Sequence, residues 1–194
     1  MAGFSLVELL LSLSLGLALS GVMLQGLMAE GQSSVRFTSL LREKAWQRRT
    51  LALIGADLEQ STSLAVLPDQ VEVACNLSGR RVLLQLEGPA GSITYSVGAP
   101  PSAIWRGHVL MRCGPAYSLD GLLTRAPASQ NRVVLDGLPP QVIPADSCDA
   151  GGEEQTPVGV CLQPDSSVLT VRLVQQLPGR DSPTIQSEKA YAMP

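Results

Sequence analysis

Between Phe4 and Met28 the chain carries one ionisable side chain, Glu8. A carboxylate inside an apolar run costs a few kcal/mol in a membrane, so it calls for a partner or a task. A second acidic group, Asp146, Asp149, Glu153 and Glu154, crowds the stretch around Cys148 and ahead of Cys161. Such hard oxygen donors could coordinate Ca²⁺, but their spacing matches no loop template, and a solvated acidic loop is the plainer reading. His108 is the only histidine and falls in a strand-like run, where a structural or surface role is expected. There is no G-x-S-x-G elbow, and Gly151-Gly152 has no Lys-Ser or Lys-Thr after it to cradle a phosphate. The cysteines lack the C-x-x-C spacing of a metal site. The residues therefore offer no catalytic constellation, and neither an enzyme nor a cofactor is expected.

The elements that would position Glu8 come next. From Phe4 to Met28 the run is Leu-rich, diluted by Ser and Gly but not by charge. At about 1.5 Å per residue it makes a helix of about 37 Å, enough to cross a hydrocarbon core of about 30 Å with some tilt. A membrane span follows from length and composition alone.

The opening Gly3-Phe4-Ser5-Leu6-Val7-Glu8-Leu9-Leu10 resembles the type IV prepilin signature. The resemblance implies that a peptidase cuts between Gly3 and Phe4 and methylates the new Phe4 amine. It implies that Glu8, then the fifth residue, pairs with the N-terminal amine of a neighbouring subunit. Physically, an unpaired ammonium and an unpaired carboxylate in a lipid-like core each carry a large desolvation penalty, and pairing relieves both. The fold implied is α+β and pilin-like, with a long N-terminal helix, membrane-spanning in its first half, packed on an antiparallel β-sheet.

The helical pattern continues without Pro until Pro68. Placed at 100° per residue, Phe37, Leu40, Leu41, Ala45, Leu51, Ala52, Ile54 and Leu58 share one arc, with Trp46 and Leu53 opposite. Lys44, Arg48 and Glu59 intrude on it. Arg42, Lys44, Arg48 and Arg49 make a basic cluster, expected to face solvent or lipid headgroups; the sharper readings are contact with acidic partner subunits or with DNA, and four cations without an aromatic surface are too few to prefer DNA. Leu51, Ile54, Asp57 and Leu58 resemble the end of the spine helix in PilW-type minor pilins and J-type minor pseudopilins. Glu59 stands where those relatives carry a basic residue.

After Pro68 short apolar runs alternate with turn residues. Val71 to Cys75, Arg81 to Leu86, Ser92 to Val97, Ala103 to Arg112, Arg132 to Leu135, Val158 to Leu162 and Val168 to Gln175 read as strands. One helix followed by strands alone predicts an antiparallel sheet packed on that helix. The expected organisation is a leader at 1–3, a span at 4–28, an amphipathic continuation at 29–66, a β-rich domain at 67–177 and a C-terminal tail at 178–194.

A net charge of −3 and 4% aromatics argue against a nucleic-acid surface, by charge and by lack of stacking platforms. All four cysteines lie beyond the span, and an even number in an exported domain points to two disulfides. Four cysteines allow three connectivities. Cys148–Cys161 is favoured because it closes a short loop with little apolar material, leaving Cys75–Cys113 by elimination; free buried thiols are the competing reading. Asn76-Leu77-Ser78 fits a glycosylation pattern by coincidence.

What the resemblance implies about function is a structural subunit, a minor pilin or pseudopilin that primes filament assembly or shapes its tip. Its implied partners are other pilin or pseudopilin subunits, the prepilin peptidase, an inner-membrane assembly platform and membrane lipid, with nucleic acid not bound directly. Its implied location is the bacterial inner membrane, single-pass, with a periplasmic C-terminal domain, then the filament. The competing reading is an adhesive or DNA-capturing tip pilin, which a basic patch or apolar groove on the folded domain would favour.

Overall fold

The computed structural model describes residues 5–66, 68, 75, 79–124, 129–140, 158–163, 167–178 and 183–192, with the side chains of 29–36 left aside. From Leu6 to Glu59 the backbone is one helix, α1. Ser5 caps its start, accepting the Val7 N–H on Oγ at 3.3 Å and the Glu8 and Leu9 N–H groups on its carbonyl at 3.0 and 3.2 Å. Ser12, Ser14 and Ser20 turn their hydroxyls back onto the carbonyls of Leu9, Leu11 and Gly16. That satisfies three hydroxyls locally in a stretch with no other polar partner. The segment Leu6–Met28 has a mean hydropathy of 2.0 and exposed side chains, and is long and apolar enough to cross a membrane.

The chain divides into two compact units, Met1–Arg42 and Glu43–Pro194. Within the second, the end of α1 meets eight strands in two antiparallel sheets. The first sheet has the order β1(Ser63–Val66), β2(Arg81–Gly88), β3(Gly91–Gly98), β4(His108–Gly114), β5(Gln130–Leu138). The second has the order β6(Val158–Gln163), β7(Val168–Gln176), β8(Thr184–Ala192). Within each sheet, successive strands pair antiparallel with their neighbours in sequence. One core joins the elements: Leu51, Ile54 and Leu58 of α1 pack in a cluster with Leu84, Leu86, Ile93, Leu110, Leu135, Val160, Leu169 and Leu173. The architecture is α+β, as the pattern of one helix followed by strands predicts.

Several boundaries differ from expectation. The helix stops at Glu59, not near residue 66, because Ser61 returns both its N–H and its hydroxyl to the Leu58 carbonyl. Thr62 then donates to Glu87, and Leu64 and Val66 alternate into register with Leu86 and Leu84 as β1. The stretch 103–107 is turn rather than strand, with Ile104 exposed, and β4 begins at His108. The expected tail is no tail beyond Pro183: residues 184–192 form β8 along the full length of β7. Only Ile185 is fully buried there, so the run is too polar to read as a strand. The expected strand at 71–75 falls on residues outside the description except Cys75, which lies in a bend.

The helix face that docks shares Leu51, Ile54 and Leu58 with the expected arc but not the rest of it. Phe37, Leu40, Leu41, Ala45 and Ala52 are exposed, whereas Glu43, Gln47, Thr50, Leu51, Ile54, Asp57 and Leu58 are buried. Positions 43, 47, 50, 54 and 57 step by four and three residues, so the spacing is that of a helix face. Four of those five side chains are polar. Apolar periodicity could not find them.

Candidate functional site

Glu8 lies in the first turn of α1, where the unpaired N–H groups and helix dipole favour a carboxylate. Its side chain is exposed, and among the described residues it has no ion-pair partner. Gly3 and Phe4 lie outside the described residues. So do Asp146, Asp149, Glu153 and Glu154, the Ca²⁺ candidates; among the described residues no group of three His, Cys, Asp or Glu could hold a metal.

Cys75 and Cys113 are joined in a disulfide with their Cα atoms 6.1 Å apart, which ties the segment before β2 to the buried end of β4. Cys161 on β6 is also disulfide-bonded; Cys148 lies outside the described residues. His108 is half-buried at the start of β4.

The richest chemistry is the polar seam between α1 and the sheets. At its centre Asp57 is fully buried. Its carboxylate accepts from Arg112 Nε at 2.7 Å and Nη2 at 2.8 Å, from Tyr117 OH at 2.6 Å and from Tyr95 OH. Arg112 completes its fork with Nη1 to the Pro115 carbonyl at 2.9 Å, and its guanidinium lies 5.4 Å from the Tyr117 ring centroid. The arrangement explains how a buried charge is tolerated: partner, counter-charge and donors are all supplied. Burial foremost, then the Asp57 charge and hydrogen bond, push the Tyr95 hydroxyl well above its ordinary range. Burial and the same carboxylate raise Tyr117 as well. For Arg112 burial works downward, but the Asp57 hydrogen bonds and charge outweigh it and hold the guanidinium protonated. With four donors on two oxygens, Asp57 has no lone pair to spare for a substrate proton.

Further along, Glu43 takes Arg106 Nη2 on Oε1 at 2.6 Å and Gln175 Nε2 on Oε2 at 2.7 Å. Gly107 makes the Arg106 position possible: its φ is 57°, and a Cβ there would stand 2.5 Å from the Leu138 carbonyl. Gln47 donates to the Ile185 carbonyl at 3.2 Å and accepts from Ser187 Oγ at 2.6 Å. Trp46 Nε1 and Thr50 Oγ1 both donate to the Val134 carbonyl at 3.0 Å. Val134 falls at a register shift between β4 and β5, so its carbonyl is free to accept from the helix. Tyr191 closes the seam, donating to the Leu51 carbonyl.

Apolar faces tolerate sliding, but these paired groups are matched one to one, so the seam fixes both the rotation and the axial position of this part of α1 against the sheets. Of its charged members only Asp57 was singled out by the sequence, as part of a motif and without a role. The signal for the rest was the four-three spacing of polar residues at 43, 47, 50 and 57. No family model, curated protein or solved structure matches the chain.

Proposed function

We propose that the chain is a minor pilin or pseudopilin, a non-enzymatic structural subunit of a type IV pilus or type II secretion-like filament that helps to initiate or cap assembly. The observation that carries this reading is Glu8 in the first turn of an apolar span, five residues after Gly3 in a G-F-S-L-V-E sequence. The span belongs to the same helix whose later residues are buried among antiparallel strands, which is the division of labour a filament subunit needs: a greasy core segment and a displayed domain. In this reading the peptidase cuts between Gly3 and Phe4, Phe4 is N-methylated, and Glu8 neutralises the Phe4 amine of a neighbouring subunit. The protein waits in the inner membrane with its C-terminal domain in the periplasm until a membrane assembly platform admits it. The polar seam supports the reading because it locks the end of α1 from Glu43 onward against the sheets in one register, so the domain presents one defined surface. The adhesive, ligand-binding alternative draws on a different observation, a basic groove between α1 and β8.

N-terminal mass spectrometry of the protein isolated from membranes containing an active prepilin peptidase tests the proposal. The expected product begins at N-methylated Phe4; a chain still beginning at Met1 overturns it.

A further inference from the structure

Beside the seam, α1 and β8 leave a groove of about 370 Å³ open to solvent, lined by Arg48, Leu51, Ser187, Glu188 and Lys189. Lys44, Arg48, Leu51 and Gly55 step by four, three and four residues, so they run along one flank of the helix. On the strand side, Ser187, Lys189 and Tyr191 alternate toward the helix, as period two requires. Ser187 reaches Gln47, and Tyr191 reaches Leu51. The floor is apolar, with Leu51 buried, and the rim is cationic. Arg48 is exposed, and neither it nor Lys189 has a carboxylate partner among the described residues. Lys189 Nζ sits 4.9 Å from the Tyr191 ring centroid. Lys44 donates to the Gln186 carbonyl at the same flank. Glu188 is the one acid on the rim, and it lies opposite Arg172 in the β7–β8 register. In a chain of net charge −3, this is a local concentration of unpaired positive charge over an apolar floor.

We infer that this groove is a docking site for an acidic, extended segment of another protein. β8 is the outer strand of its sheet, so beyond Ile185 and Gln186, whose carbonyls already accept from Gln47 and Lys44, a segment laid beside it finds backbone as well as side-chain partners. Arg48 suits a carboxylate in particular, because the guanidinium fork matches its two oxygens. Leu51 offers an apolar side chain a surface between the charges. A nucleic acid fits less well: Tyr191 carries Lys189 over one face and abuts Gly55 of α1, which makes it a poor stacking platform, and Glu188 would oppose a phosphate chain. The inference does not depend on the chain being a filament subunit.

The test uses the full chain in zwitterionic nanodiscs and a fluorescein-labelled peptide of alternating Glu and Val, read by fluorescence anisotropy. Saturable binding is expected. Arg48→Glu and Lys189→Glu should each weaken it by about fivefold, the upper end for an exposed ion pair. Arg132→Glu, at an exposed site on β5, should leave it unchanged. Glu188→Gln should tighten it, a gain that misfolding cannot imitate. Absence of binding, equal weakening by Arg132→Glu, or tighter binding of an oligo-dT strand than of the peptide at the same salt would each overturn the proposal.

Discussion

Asp57 and Arg112 meet through two parallel hydrogen bonds, 2.7 and 2.8 Å long, in a place neither shares with solvent. One stands on α1 and the other on β4, 55 residues later, so the pair is a long-range tie between helix and sheet. Its energy is asymmetric: making it offsets two desolvation penalties, whereas breaking it leaves one of them whole.

Asp57→Ala should therefore destabilise the protein by about 3–5 kcal/mol, because Arg112 stays charged and buried without its carboxylate. Asp57→Leu combined with Arg112→Met should cost less, since both charges leave together and what remains is the lost acceptor of the Tyr95 and Tyr117 hydroxyls. Urea denaturation followed by circular dichroism measures both. A loss below about 1 kcal/mol for Asp57→Ala, the scale of a surface pair, would show that water reaches the site.

Much of the fold was legible, and the failures on α1 and β8 share a cause. β2, β3, β6 and β7 lie where short apolar runs sit between turn residues, and the Cys75–Cys113 bridge follows from pairing the other two cysteines first. The reading went wrong wherever contact is polar. Gln47, Thr50 and Glu43 are as buried as Leu51, yet hydrophobic periodicity counts them as solvent-facing. β8 is hidden for the same reason, since Ser187 and Lys189 occupy positions where a buried strand face would show Val or Ile. The residues that hold Asp57 come from β3, β4 and the turn after it, and no local pattern links Tyr95, Arg112 and Tyr117.

Alkaline pH should loosen the domain in a defined window. Burial raises the Tyr191 hydroxyl from its ordinary value of 10.0 to about 12, and Tyr95 and Tyr117 are also raised. A raised folded-state value means that the stability contribution is complete below pH 10 and is lost as the unfolded chain sheds protons between about pH 10 and pH 12. Thermal melts across that range should show a falling midpoint, and Tyr191→Phe should make the fall shallower. An unchanged slope in the variant would contradict the assignment.

Removing the Cys75–Cys113 bridge by a double Ser substitution releases a closure spanning 38 residues. The chain-entropy relation puts the loss at about 4 kcal/mol, and a buried hydroxyl at Cys113 adds to it. Comparison of the denaturation midpoints of wild type and variant without reductant checks the figure; wild type under reductant should fall to the variant's midpoint or below it, because the Cys161 bridge is lost as well.

Glu8→Ala should insert into membranes as well as wild type or better, because a costly carboxylate leaves the span. Under the proposed function it should nevertheless fail to enter filaments, since the Phe4 amine loses its partner. Membrane fractionation and sheared-filament immunoblots separate the two effects. Wild-type filament incorporation would rule out the pairing.

The bulge at Val134 has a consequence for handling the protein. β5 is the outermost strand of its sheet, and outermost strands invite edge-to-edge aggregation. Here Trp46 and Thr50 shield it by occupying the carbonyl that the bulge releases. A water-soluble fragment trimmed past Thr50 would strip away that guard and bare the strand to other copies. One that starts between Met28 and Glu43 sheds the greasy segment and keeps the shield.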